Sequence, residues 1–438
     1  MSTERALPGF RSQYMKTERK MYAKMFIMFI VLLVTIIMGI LSIYWGADHS
    51  LQFNMPVATV AIIDLDGGEV GPAMSSYATQ FRQQHGTMSL GYVNTPAGQY
   101  PSNEAARAAL KNEDFWIGII VQSNATTLMN YAYQNGNTTY DPTGAIQVIY
   151  AEGRNSLVIA EFLLPQLNTF MSGFVAQFSK QKQASLLTTN TGNAAALMLQ
   201  AQLPIPVNYA TFNTAPAVPS TAEAATEIGT IYLIIVSFVS VLMFDKLNEA
   251  MLGKFRPRTY MVWRIALLPT VYFFLSLFYM ALSCAWMIRL DKFFGGAGYF
   301  IFWMLSWCSM MAFGLVVENV NNALGPPFTP VFFVFWVISN VSTGFYPVEF
   351  LSNFYLWGLA WPLRHNLIGA KAIIYGTKNV LGLNFGVTLA WVFLSLTLLP
   401  LTVKLQMHKK KAVYEKQRTE LMERKYGSEE SKSSSSEE

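Results

Sequence analysis

Cysteine and charge are scarce in this chain. Only two cysteines, Cys284 and Cys308, occur in 438 residues, and both sit inside apolar runs. No disulfide framework can brace the polar part of the chain, which must hold itself together by ordinary core packing. Charged residues make up 13% of the sequence against 52% apolar, whereas a soluble globular protein carries about 25% charge. That deficit points to a solvent other than water. The usual chemical engines are missing too. No G-x-x-x-x-G-K-[ST] phosphate loop, no H-E-x-x-H or clustered Cys/His pattern and no G-x-S-x-G elbow occurs, and the four histidines, His49, His85, His365 and His408, are scattered. A chain with its own P-loop ATPase is excluded. No catalytic residue, metal site or cofactor is expected, and no nucleic-acid partner.

Apolar runs are what the chain has instead. Met25 to Gly46 carries no charge, and about 20 apolar residues suffice to cross roughly 30 Å of hydrocarbon. The run is too long for a cleaved signal peptide, and Tyr44-Trp45 fits an interfacial belt, so it reads as an uncleaved signal anchor. Five more runs follow at 228–244, 265–288, 298–317, 328–346 and 380–403. FYLWGLAWPL at 354–363 is too short to span and is broken by Gly358 and Pro362. It reads as interfacial or as part of a re-entrant stretch near 347–376, and non-helical backbone at that depth is tolerated only against protein or a water-filled cavity.

Residues 47–226 have a different character. VATVAIIDLD (57–66), 88–93, FWIGIIV (115–121) and AIQVIY (145–150) read as strands, and 70–84 and 102–114 as helices, the latter capped by Ser102 or Asn103. Strands alternating with helices imply an α/β unit. Leu163, Leu167, Phe170, Phe174 and Phe178 recur at helical spacing and read as core packing, with Pro165 starting or kinking that helix. Asp64 and Asp66 read as a strand-end turn, and the proline-rich 203–220 as a linker. Asn124 and Asn137 head glycosylation sequons.

Lysine and arginine set the expected orientation. The arm at 1–24 carries Arg5, Arg11, Lys16, Arg19, Lys20 and Lys24. The loop at 245–260 carries Lys246, Lys254, Arg256 and Arg258, and the tail begins with Lys404, Lys409, Lys410 and Lys411. These segments take the cytosolic side. The fold class expected is an α-helical polytopic membrane protein of about six transmembrane helices, with one extracytosolic α/β domain inserted between the first and second. Residues 1–24 form a cytosolic basic arm, 25–46 the first helix, 47–226 the outer domain, 227–405 a five-helix permease-like membrane domain, and 406–438 a cytosolic disordered tail. The loop at 318–327 should be cytosolic yet has no lysine or arginine.

Polar groups within apolar runs are costly, about 2.5–3.5 kcal/mol for a charge at mid-helix, and so point to function. Glu318, with Asn319, Asn321 and Asn322, ends the fourth run, Asn340 lies inside the fifth, and Glu349, Arg364 and His365 flank the re-entrant stretch. Arg264 and Arg289 bracket the third run, where snorkelling interface anchors are the plain reading.

One span, a large outer domain and five further spans resemble the permease half of type-2 ABC exporters and membrane proteins of the phage-infection-protein type. VATVAIIDLD with the following helix, AALKNEDFWIGIIVQSNATTLM, and the stretch at 342–376 with Gly344 and Pro347 carry that likeness. SIYWGA at 42–47 and KFRPR at 254–258 are more similar to the fungal nitrosoguanidine-resistance membrane proteins. The resemblance implies a role in resistance to toxic compounds or in plasma-membrane homeostasis, and no residue-level mechanism. The function expected is a plasma-membrane permease-like exporter of toxic small molecules or lipid, and the polar and turn residues of the apolar runs put its substrate path near Glu318, Asn319, Asn340, Gly344, Pro347 and Arg364. An ATP-binding cassette subunit on a separate chain, the lipid bilayer and a second copy of the chain are the partners implied. The rival reading is a non-transporting membrane organiser or regulatory subunit whose outer domain binds a partner.

Overall fold

A computed structural model describes residues 9–189, 197–199, 202–326 and 328–434. The chain opens with a single long helix, α1 (Gln13–Phe53), interrupted by one π-helical turn at Ile36–Leu41. There follow β1 (Thr59–Asp64), α2 (Val70–His85), β2 (Gly91–Asn94), α3 (Asn103–Lys111), β3 (Ile117–Val121), α4 (Ala125–Asn135), β4 (Ile146–Tyr150), α5 (Ser156–Leu186) and β5 (Tyr209–Asn213). The remaining helices are α6 (Ala224–Met251), α7 (Pro257–Ala285), α8 (Ala297–Leu324), α9 (Thr329–Gly344), α10 (Pro362–Tyr375) and α11 (Leu381–Ser434).

The strands form one sheet in the order β2-β1-β3-β4-β5, parallel except for the antiparallel pair β3–β4. Side chains alternate across it, as the two-residue period of a strand requires. Val60, Ile62, Ile117, Ile119 and Val148 face one core with α2, α4 and α5; Ala61, Ile63, Ile120 and Ile149 face another with α3. β3 is buried at every position, hence its unbroken apolar sequence. The phenylalanine stripe of α5 belongs to the first core, where Phe170 stacks on Tyr92 at 4.0 Å. Ser102 caps α3, its hydroxyl accepting the Ala105 N–H at 3.2 Å.

Among the described residues, six helices are long and apolar enough to cross a bilayer: α1, α5, α6, α7, α8 and the first part of α11. This differs from the expected set in two places. Helix α5 meets the length and hydropathy requirement but spends its apolar face on the sheet. Helix α9, expected as a span over 328–346, has only 16 helical residues, because the helix stops at Gly344. It packs among the others, with Trp336 and Val341 in the same core as α6, α7, α8 and α11.

Other boundaries also shift. The expected linker 203–220 contains β5, which pairs with β4, and α4 had no counterpart in the sequence reading. The expected loop 318–327 is mostly helix: α8 runs on to Leu324, so its polar residues sit inside the bundle. The tail expected to be disordered continues α11 to Ser434, and the last four residues lie outside the described ones. Lysine, glutamate, arginine and leucine between 404 and 424 are strong helix formers. They outweigh the serine-rich end that suggested disorder.

All the connections on the sheet side fall at one end of the bundle. α1 ends there, α6 begins, α7 ends, α8 begins and α9 ends. The segment after α9 wedges between them: Tyr346, Phe350, Leu351 and Tyr355 join the sheet core. Asn54 Nδ2 and Asn155 Nδ2 donate to the carbonyls of Phe350 and Phe345, each at 2.8 Å, and Tyr355 donates to the Ile43 carbonyl at 2.8 Å. The stretch expected as re-entrant is two 3-10 segments, Val348–Phe350 and Asn353–Ala360, followed by α10.

Candidate functional site

The opposite end of the bundle gathers the deepest charges. Arg264 lies two turns inside α7, which begins at Pro257, and is not the interface anchor that its sequence position suggested. It and Glu318 on α8 have side chains only 1% and 3% exposed. Arg264 Nη2 and Nε donate to Glu318 Oε1 at 2.9 and 3.2 Å. Its other donors reach Asn322 Oδ1 at 2.9 Å, Gln406 Oε1 at 3.0 Å and the Tyr260 hydroxyl at 3.2 Å. All five guanidinium N–H groups are thereby used.

Glu318 is not so well served. Its Oε2 is buried without a hydrogen-bond partner, and Glu318 lines a narrow void together with Asp245, Asn248 and Asn321. Around the pair, Asn319 donates to the Ser395 carbonyl at 2.9 Å and accepts from Thr402 at 2.7 Å. Thr329 donates to Asn321 Oδ1 at 2.9 Å, and Gln406 Nε2 to Asp245 Oδ1 at 3.3 Å. The cluster ties α6, α7, α8, α9 and α11 together.

A second cluster lies at the sheet end. Lys371 on α10 pairs with Glu227 on α6 at 2.7 Å and is 3% exposed. Asn366 Nδ2 donates to Ser309 Oγ at 2.8 Å, and Thr230 to Asn366 Oδ1 at 3.2 Å. Between the clusters, Tyr272 donates to the Ser237 carbonyl at 3.0 Å, passing over Gly314. A Cβ at Gly314 would sit 1.9 Å from that hydroxyl oxygen, so the bare backbone makes the crossing possible. Along α8 these groups form a polar seam from Ser309, near the middle of the helix, to Asn322, near its end.

The residues named from sequence divide between the two ends. Glu318 and Asn319 belong to the Arg264 cluster. Asn340, Gly344, Pro347 and Arg364 lie where α9 gives way to α10. Asn340 accepts the Leu363 N–H at 3.1 Å, serving one of the free donors at the start of α10, and its own amide donates to Trp336 O at 2.8 Å. Gly344 lets Leu363 approach, and Pro347 precedes the first 3-10 segment. Arg364 is half-buried near Glu349 and Glu113. His365 is buried, its Nδ1 3.1 Å from Asn384 Oδ1 and its Nε2 2.8 Å from the Leu359 carbonyl. Arg289 is exposed and pairs with Asp291 at 3.1 Å.

At the junction of sheet and bundle, Arg154 stacks over Trp116 with its guanidinium carbon 3.5 Å from the ring centroid. It lies 3.6 Å from Glu349 and 4.0 Å from Glu113, and donates to Phe115 O at 3.1 Å. Burial holds its pKa below the ordinary value, against the pull of both carboxylates. Asp64 and Asp66 serve the loop between β1 and α2: Asp64 accepts from Asp66 N and Gly67 N, and Asp66 from Thr126 N and Gly68 N. Among the described residues no three His, Cys, Asp or Glu side chains gather as metal ligands would.

Lys371 and Glu227 escaped the sequence reading. Glu227 lies one residue before the run at 228–244 and Lys371 within the stretch read as re-entrant, and nothing in hydropathy reveals that they face one another. The tight apolar helices around buried ion pairs, with an α/β unit inserted after the first helix, define a polytopic membrane protein. The chain belongs to the family described as a protein of unknown function (DUF3533), which it matches over residues 29–397. It is 27% identical over 333 residues to an uncharacterized endoplasmic reticulum membrane protein, YJR015W, of Saccharomyces cerevisiae. The match covers 73% of this chain and 64% of that protein, so the chain spans less than two thirds of that relative's length.

Proposed function

We propose that the protein is a permease-like exporter that moves toxic amphipathic small molecules or lipid, and that the polar seam along α8 is its path. The observation that carries this reading is the Arg264–Glu318 pair, nearly fully buried, with one carboxylate oxygen left without a partner. Ionisable groups inside membrane helices are costly and characteristically mark transport pathways or proton relays. The resemblance to type-2 exporter permeases and nitrosoguanidine-resistance proteins supports the same reading. With no phosphate loop in the sequence, the driving force comes from an ATP-binding cassette partner or from an ion gradient. We read the protein as neither an enzyme nor a nucleic-acid binder.

Lysines 246, 404 and 409–411 line one cavity at the end of the bundle where α6 passes into α7, and Lys254 lies on that connection. The positive-inside bias therefore favours that end, and both termini, in the cytosol, with the α/β unit outside. The plasma membrane fits a resistance role. The yeast relative's printed name places that protein in the endoplasmic reticulum, and imaging a fluorescent fusion separates the two compartments. The test of function is reconstitution. Purified protein in vesicles should move a dye, drug or labelled lipid under a proton or ion gradient, or with a co-purified ATPase, and Glu318→Gln should reduce that rate at least tenfold. No movement under any of these conditions sinks the exporter reading.

A specific observation favours the organiser as second reading. The void beside Glu318 is too narrow to hold a water molecule, so the seam is pinched shut at that point. Crosslinking and pull-down separate the two: a cassette ATPase captured supports transport, whereas lipid regulators or wall enzymes support an organiser.

A further inference from the structure

A cavity of about 300 Å³ lies at the junction of the α/β unit and the bundle. It is lined by α3, by β5, and by the connections before α8 and before α11. Four cations line it, Arg107, Lys111, Arg154 and Lys378, against one carboxylate, Glu113. Arg154 is already committed to Glu113 and Glu349. The other three have no ion-pair partner among the described residues. Arg107 and Lys111 are four apart on α3, a like-charge spacing that disfavours a helix. A bound anion would reverse that penalty.

The guanidinium of Arg107 is also incompletely used. Its carbon lies 4.2 Å from the centroid of the Phe212 ring, and Nη2 donates to Gln147 Oε1 at 3.0 Å. Its Nε is buried with no hydrogen-bond partner. A planar, half-bonded guanidinium beside two free ammonium groups is suited to a phosphate oxygen, since arginine binds such groups in paired, charge-assisted bonds. Phe293 also lines the cavity, with the Lys111 Nζ 6.0 Å from its ring centroid. The volume is at the lower end of ligand pockets, which run from about 300 Å³ upward.

We infer that this cavity is a binding site for a phosphate-bearing anion, held by Arg107, Lys111 and Lys378. Phe293 and Lys378 stand on connections at the end of the spanning helices. That rim is reachable both by a phospholipid headgroup from the bilayer and by a free phosphate compound from water. The site does not depend on the protein being a transporter.

The test uses the full-length protein in nanodiscs of phosphatidylcholine alone or with phosphatidic acid. In the first, inorganic phosphate is titrated at constant ionic strength, with chloride as control, and thermal unfolding is followed. In the second, retained lipid is counted by native mass spectrometry. Lys111→Gln/Lys378→Gln should weaken the phosphate midpoint or the retention of phosphatidic acid at least tenfold, and Lys111→Arg/Lys378→Arg should restore it. A charge-dependent response to inorganic phosphate assigns a soluble ligand. Retention of phosphatidic acid without such a response assigns a lipid headgroup. Equal binding by the glutamine and parent proteins, or no binding of either probe by the parent, overturns the inference.

Discussion

Arg264 and Glu318 meet at 2.9 Å in the interior of the bundle, and neither side chain has appreciable contact with solvent. Removing one partner strands the other charge in a low-dielectric setting, a loss of about 3–5 kcal/mol, whereas replacing both by apolar residues is often neutral or better. Arg264→Met should therefore lower the thermal unfolding temperature of the detergent-purified protein sharply. Arg264→Met/Glu318→Met should recover most of the loss. A double variant no better than the single one would show that Asn322 and Gln406, not Glu318, are what Arg264 stabilises. If the seam is the path, the double variant is also the informative one for transport: folded, yet inactive.

Gly314 and Tyr272 make a second, purely steric prediction. Adding one methyl at Gly314 puts carbon 1.9 Å from the Tyr272 hydroxyl oxygen and 2.5 Å from its ring carbon. The ring is fully buried and bonded to Ser237 O, so it cannot swing away cheaply. Gly314→Ala should cost about 1–3 kcal/mol, the usual range for overpacking a core. Tyr272→Phe should relieve part of the clash, making the double variant less destabilised than the sum of the two singles. Strict additivity in melting experiments would mean that the helices part without involving this ring.

Much of this architecture is visible in the sequence, for identifiable reasons. Lipid demands long uncharged runs, so α1, α6, α7, α8 and α11 stand out by hydropathy. The sheet core demands alternation or continuous β-branched runs, so β1, β3 and β4 do too. What fails is whatever depends on a partner across space. Glu318 and Arg264 look like span ends because hydropathy stops at the first charge, while the helices continue once the charges neutralise each other. β5 is hidden because YATFN is short and half-exposed, and only pairing with β4 makes it a strand. α5 is apolar enough to pass for a span, yet the helical spacing of Leu163, Leu167, Phe170, Phe174 and Phe178 already marks it as core, where the structure puts it. The α11 tail resembles disorder because composition weighs its serines above the helix formers before them. Of the named site residues, Glu318 and Asn319 enter one buried network. Asn340, Gly344 and Pro347 shape the turn from α9 into α10.

Asn340 distinguishes packing from path. Its Oδ1 accepts the Leu363 N–H, a backbone donor with no partner within its own helix. Asn340→Leu leaves that donor buried and unsatisfied, at about 1–3 kcal/mol. Amide exchange at the start of α10 should accelerate, with little change at the far end of α8. A variant that melts and exchanges like the parent yet loses transport would instead make Asn340 a substrate contact.

Sidedness is decided most cheaply at Asn124 and Asn137. Asn124 is exposed at the turn between β3 and α4, with a positive φ of 63°. Asn137 lies in the loop after α4 and accepts both the Thr139 N–H, at 3.0 Å, and the Thr139 hydroxyl, at 2.7 Å. Oligosaccharyl transfer takes place only on the luminal side of the endoplasmic reticulum, so with the α/β unit outside the cytosol a glycosidase should shift the mobility of the protein. Asn124→Gln and Asn137→Gln should each remove a step if their site is used, and the double variant should not shift at all. Asn340, which also heads a sequon, is fully buried within α9 and should contribute nothing. Unused sequons alone would not reverse the topology. A protease applied to the cytosolic face of sealed microsomes makes the outcome binary: cleavage between 47 and 226 with the membrane intact would place the sheet, and the phosphate cavity beside it, in the cytosol.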